Sequence, residues 1–75
     1  MNNPWNLTVR ELQVIALVAA SATRREVGGV LAVTEKTVKN TCLSAYRRMA
    51  VRNAVSATLA YCRVYGIPET FKPAE

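Results

Sequence analysis

An all-α fold of four helices, flanked by short N- and C-terminal arms, is what the sequence predicts. Three observations predict it. Thr-x-x-Glu occurs twice, at Thr8–Glu11 and Thr23–Glu26. At a helix start that spacing lets the threonine and the glutamate satisfy each other's free backbone amides. Apolar residues after these signals recur at helical spacing, so that each segment has an apolar face. No apolar–polar alternation of a strand appears, and no internal repeat or low-complexity segment interrupts the pattern.

The first helix is expected over residues 8–20. Leu7 and Leu12 fit a hydrophobic staple around the capping box of Thr8 and Glu11. Leu12, Ile15, Ala16 and Ala19 form one stripe, and Val14, Leu17 and Val18 widen it, so much of this helix is expected to be buried. The second helix, 23–31, repeats the device, with Ala22 and Val27 at the staple positions and Val27, Val30 and Leu31 expected to face inward. Gly28 and Gly29 sit in its middle, where each glycine costs up to about 1 kcal/mol relative to alanine. Close approach of another helix at Gly28 explains this; the alternative is a soft helix that adjusts on binding.

Ala32-Val33 forms a tight connection to a third helix, 34–49. Thr34 is its N-cap, and Glu35 puts negative charge at the positive end of the helix dipole. Lys36, Lys39, Asn40 and Arg47 share one face, while Val38, Cys42, Ala45 and Met49 share the opposite one. Val51-Arg52-Asn53 breaks the pattern. Asn53 caps a fourth helix, 53–65, which Gly66 ends with a left-handed cap and Pro68 keeps from continuing. The domain is thus read as residues 7–66, with arms at 1–6 and 67–75; Trp5 and Phe71 are expected to pin these to the body, the alternative being contacts to a partner.

The charge is concentrated. The 75 residues carry ten bases, five acids and a net charge of +5. Arg24, Arg25, Lys36, Lys39, Arg47, Arg48 and Arg52, against Glu26 and Glu35, hold the whole excess; elsewhere Arg10, Arg63 and Lys72 balance Glu11, Glu69 and Glu75. A clustered basic stretch favours a polyanion, nucleic acid before membrane. The longest apolar run, Val14 to Ala20, is far short of the roughly 20 residues that span a bilayer. The N-terminal residues have neither the charged nor the apolar region of a signal peptide, so a cytoplasmic, nucleoid-associated location is expected. With no histidine, and with Cys42 and Cys62 far apart on apolar faces, no metal site is expected and both cysteines read as buried small hydrophobes. No paired carboxylates, P-loop or glycine-rich dinucleotide turn suggests an enzyme, and no cofactor is expected. Four of the five aromatics lie near the ends and only Tyr46 stands among the bases, which argues against single-stranded RNA.

Two short helices joined by a tight turn, the second basic on its outer face, form a helix-turn-helix. In such units the second helix enters the major groove. The residues also resemble a family. Leu7-Thr8-Val9-Arg10-Glu11-Leu12-Gln13-Val14-Ile15 is similar to an opening LTxRE-x-x-VL. Arg25-Glu26-Val27 and Leu31-Ala32-Val33-Thr34 are similar to KEI…L-x-IS, Thr37-Val38-Lys39-Asn40 to TVKN, and Met49-Ala50-Val51 stands where LGV is usual. The resemblance is to the LuxR-type, GerE-like helix-turn-helix and runs without gaps from Leu7 to about Thr58.

That resemblance implies a DNA-binding transcription regulator whose third helix reads the major groove. Lys39, Asn40 and Leu43 fall at groove-facing positions; asparagine can pair with adenine through two hydrogen bonds, and leucine can touch a thymine methyl. Thr34, Lys36 and Thr37 fall where backbone contacts are usual, Arg24 and Arg25 lie near the phosphate track, and Arg47, far along the helix, suits a phosphate. The chain departs from the family at Thr41, Ala45, Ala54 and Leu43, which replace a histidine, a bulky core residue, an arginine and a polar residue. The apolar Leu43 also suits a protein-facing surface.

The fourth helix carries two apolar stripes, Val55, Leu59 and Cys62 on one side and Ala54, Ala57, Tyr61, Val64 and Tyr65 on another. One suffices for a core, so the second, with Thr58, is expected at a homodimer interface, as family behaviour implies. The length leaves no room for a sensor domain, and a stand-alone regulator is expected. The alternative is an interaction module that pairs with a larger LuxR-type regulator or contacts RNA polymerase.

Overall fold

Four helices make up the computed structural model, which describes residues 3–72: α1 Val9–Ala19, α2 Arg24–Leu31, α3 Glu35–Met49 and α4 Ala54–Tyr65. Each begins at the expected cap. Thr8, Thr23, Thr34 and Asn53 are extended and accept from the amides of Glu11, Glu26, Thr37 and Ser56. Both Thr-x-x-Glu boxes close in both directions, with glutamate oxygens 2.8 Å from the amides of Thr8 and Thr23. Such a cap contributes about 1 kcal/mol, so these starts are set locally, ahead of tertiary packing.

The helix ends are less ordinary. Ala32 and Ala50 end α2 and α3 in the left-handed region, both with φ 58°. Glycine favours that region because a side chain there crowds the backbone. Ala50 therefore fills, with some strain, the position where the family usually has glycine. Gly66 does end α4 at positive φ, but its ψ of 176° extends the chain instead of closing the left-handed cap that its position suggested.

α1 lies at the centre of the packing. Its Ile15 joins Leu7, Ala45, Met49 and Ala57 in one buried cluster, and its Val14 joins Val27, Val38 and Cys42 in another. Tyr46 of α3 packs against both. Full burial of a Leu, Ile or Val side chain stabilises by roughly 1.5–3 kcal/mol, so α1 ties the helix-turn-helix to α4. Val30 breaks the expected inward stripe of α2. It is 54% exposed, because Val27 and Gly28 form the buried line and Val30 is rotated away from it.

The approach at Gly28 is real, but its neighbour is the turn and not another helix. A Cβ there would stand 2.7 Å from the Val33 carbonyl oxygen, and the Val33 amide donates to the Gly28 carbonyl at 3.0 Å. Gly29 has open space around it.

Neither arm is loose where it is described. The Asn3 side chain bridges the amide and carbonyl of Leu7, and Trp5 packs on the first cluster with its ring 6.2 Å from Tyr65. The Phe71 amide donates to the Ala20 carbonyl at the end of α1 at 2.6 Å, bringing the C-terminal arm back along the body. The rest of both arms, 1–2 and 73–75, lies outside the described residues.

The two glycines of α2 give opposite expectations. Gly28→Ala lowers stability by about 1–3 kcal/mol, because the turn backbone cannot give way. Gly29→Ala raises it by up to about 1 kcal/mol. Urea unfolding of the two variants checks this, and equal effects would show that the turn does not need the close approach.

Candidate nucleic-acid interface

The core fixes which way α3 faces. Val38, Cys42, Ala45 and Met49 are buried. The residues half a turn away, Lys36, Asn40, Leu43 and Arg47, are exposed along the outer face, and Lys39, also exposed, stands at the edge of that face toward α2. The structure thus brings together the base-contact candidates Lys39, Asn40 and Leu43 with the phosphate-contact candidates Lys36 and Arg47. Leu43 is 45% exposed, an apolar side chain amid polar neighbours. Thr34 and Thr37 stand at the start of the helix, where the Thr34 hydroxyl donates to the Thr37 hydroxyl at 3.0 Å while accepting from the Thr37 amide. The Thr34 oxygen serves the cap first, and any contact it makes beyond the protein is additional.

Arg24 and Arg25 are exposed at the start of α2. Arg24 lies on the Cys42 and Tyr46 side of α3, close enough for its charge to act on both groups. Burial nevertheless dominates there. It pushes the Cys42 thiol up, and the Tyr46 phenol up to about 12. Both groups are therefore neutral at neutral pH and behave as core, as expected for Cys42. Cys62 is a free, half-buried thiol.

The opposite flank of α3 meets the first turn of α1 through one carboxylate. Among the described residues, Glu11 is the one charged residue that the core buries, at 5% exposure. Its Oε1 accepts from the Thr8 amide and lies 3.4 Å from Arg48 Nε, and its Oε2 accepts from Ser44 Oγ at 2.5 Å. Arg48 also donates to the Asn6 carbonyl at 3.2 Å. Burial raises the carboxyl pKa; the hydrogen bonds from Ser44 and Thr8 and the Arg48 charge outweigh it and leave it below the ordinary value of 4.5. Arg48, counted among the basic excess, is thus partly spent on holding α3 to α1. It forms the one ion pair among the described residues.

Beside this junction, α1 and α3 enclose an open polar cleft of about 400 Å³, whose lining includes Arg10, Thr37, Asn40 and Thr41. Nothing in the spacing of the residues places Arg10 here. It lies outside the basic window of the sequence, and the contact of its neighbour Glu11 with Ser44 and Arg48 holds it beside α3.

α4 reverses the expected use of its two stripes. Ala57 is fully buried, and Ala60 and Tyr61 pack on the first cluster. Ala57 is therefore not available to a partner, and Tyr61 is largely taken up by the core and by its 4.8 Å ring contact with Tyr65. Val64 and Tyr65, at the end of the same stripe, remain partly exposed. The outward side holds Val55 and Leu59, 70% and 56% exposed, beside Ala54 and Thr58. Together with Val18 and Ala22 these line an apolar groove of about 350 Å³. Among the described residues no helix is long and apolar enough to cross a membrane.

A family model described as bacterial regulatory proteins of the luxR family (GerE) matches residues 5–61, well over half of the chain. No curated protein and no solved structure matches.

Because its carboxyl pKa lies below the unfolded value, Glu11 contributes stability that is complete above the unfolded carboxylate range, about 4.3, and is lost as pH falls through the lower folded value. Glu11→Gln costs about 1–3 kcal/mol at neutral pH by unpairing buried donors. The difference from the parent protein shrinks as pH falls below about 4. Thermal unfolding across pH checks this; a constant difference would remove the carboxylate charge from the account.

Proposed function

The chain belongs to the luxR family of bacterial regulatory proteins, helix-turn-helix DNA-binding regulators, and from that premise we propose that it binds duplex DNA sequence-specifically with α3 in the major groove. One observation carries the proposal: the exposed stripe Lys36, Asn40, Leu43, Arg47, with the exposed Lys39 at its α2-side edge, fixed in direction by the four buried residues behind it. An α-helix fits the major groove in width, and its early residues reach base edges. Lys39 and Asn40 supply hydrogen bonds to bases, and Leu43 supplies an apolar contact to a thymine methyl. Lys36, Arg47, Thr34, Thr37, Arg24 and Arg25 contact phosphates and supply most of the affinity.

The binding unit is a homodimer formed through α4. The supporting feature is its outward stripe: Val55 and Leu59 with Ala54 and Thr58, rather than the Ala57 and Tyr61 side that the core consumes. Two copies related by a two-fold axis would read a two-fold DNA site. The same exposed stripe equally suits heteromeric pairing with a larger LuxR-type regulator. The exposed Leu43 gives a second reading in which α3 meets RNA polymerase. In either case the protein acts in the cytoplasm at the nucleoid.

Selection of duplexes from a random pool at physiological salt tests the first reading. Enrichment of a short two-fold motif is expected, and retention without a motif would move the function to protein partners. Lys39→Ala weakens binding to the selected duplex by roughly tenfold or more and blunts sequence preference. Replacing Arg24 and Arg25 weakens binding to all sequences and makes the salt slope shallower by about 2. On the dimer, sedimentation equilibrium of Leu59→Glu is expected to give one chain where the parent protein gives two. A dimeric Leu59→Glu would place the interface elsewhere.

A further inference from the structure

We propose that Arg10 at the start of α1 contacts a phosphate of the duplex strand opposite to the one that Arg24 and Arg25 approach, through the cleft between α1 and α3. The inference rests on the proposed seating of α3 in the major groove.

The argument is one of flanks. Around the α3 axis, successive residues turn by about 100°. Taking the exposed stripe of Lys36, Asn40, Leu43 and Arg47 as the front, Thr37, Thr41, Ser44 and Arg48 fall on one flank and Glu35, Lys39 and Tyr46 on the other. The second flank faces α2, and there the Arg24 charge acts on Cys42 and Tyr46. The first faces α1, and there Arg10 and Thr8 share a cleft with Thr37, Asn40 and Thr41. The two cations therefore bracket the groove-facing stripe from opposite sides.

A major groove asks for this arrangement. It is about 12 Å wide, a helix with its side chains is about 10–12 Å across, and the two walls of the groove belong to opposite strands. A helix seated in it carries each flank against one phosphate backbone. Arg24 and Arg25 serve only one wall. On the other side Arg48 is drawn back to Glu11 and Asn6, whereas Arg10 is exposed and pairs with no carboxylate among the described residues. Beside it the cleft offers the hydroxyls of Thr37 and Thr41 and the amide of Asn40, which suit a phosphate oxygen, with Glu11 and Arg48 also in the lining. Glu11 at the cleft floor does not repel the anion strongly, because its carboxylate is buried and already engaged by Thr8, Ser44 and Arg48.

The test compares the parent protein, Arg10→Gln, Arg10→Lys and Arg63→Gln, an exposed α4 control, on the selected duplex and on a random-sequence duplex. Arg10→Gln is expected to bind both about three- to tenfold more weakly at physiological salt, with a salt slope shallower by about 1. Arg10→Lys is expected to keep the slope, Arg63→Gln to match the parent protein, and all four to unfold at the same temperature. Ethylation of single phosphates adds the strand. Arg10→Gln should lose interference on one wall of the groove, and the Arg24, Arg25 double variant on the other. An unchanged slope in Arg10→Gln, an equal loss in Arg63→Gln, or loss on the same strand as the double variant would overturn the inference and leave the groove reading standing. A parent protein that binds no duplex overturns both.

Discussion

The buried carboxylate of Glu11 is the constraint on which the arrangement of helices depends. A charge at 5% exposure is tolerated only if it is fully engaged, and Glu11 is engaged from three sides: its own N-cap, Ser44 and Arg48. Those partners fix the rotation of α3 about its axis as well as its distance from α1. Ser44 and Arg48 lie one turn apart on the same flank, so a rotation of α3 that kept one contact would stretch the other. Hydrophobic burial of Val38, Cys42, Ala45 and Met49 gives α3 a preferred inward side, but apolar contacts are non-directional and admit some roll. The carboxylate removes that freedom.

The division of labour along α3 follows. Ser44 and Arg48 on the α1 side and Tyr46 on the α2 side hold the domain together, while the front stripe, with Thr37 and Lys39 at its edges, is free for a partner. Cys42 and Tyr46 stand behind it as neutral groups, their pKa values raised by burial. The bases on offer thus differ from those read along the chain, since Arg48 is partly consumed within the fold while Arg10 is brought beside α3 by packing.

The helices and their starts were legible in the sequence because caps are local. Thr8, Thr23, Thr34 and Asn53 act on amides three residues away, and all four do so in the structure. The outer stripe of α3 was legible because its two faces differ sharply in polarity. α4 was not, because both of its stripes are apolar and periodicity alone cannot say which meets the core; Ala57 and Tyr61 proved to be the inward side. Val30 misled for a related reason, in that a helix of eight residues packed through a glycine presents less inward surface than its apolar positions suggest. Arg10 was out of reach, since its place beside α3 depends on a contact between Glu11 and residues more than thirty positions later. The left-handed alanine at 32 carried no signal, because glycine is the residue that announces that conformation; at 50 only the resemblance, which puts glycine there, pointed to it.

The seat of Trp5 has an optical consequence. It is the chain's single tryptophan, and its indole rests against the last turn of α4 and the core cluster, away from the front stripe of α3. Intrinsic emission from this protein therefore reports on the docking of α4 and the N-terminal segment, not on occupancy of the α3 surface. A spectral change on mixing with a partner would be a signature of motion at the far edge of the domain, with the tyrosines at 61 and 65 as nearby energy donors.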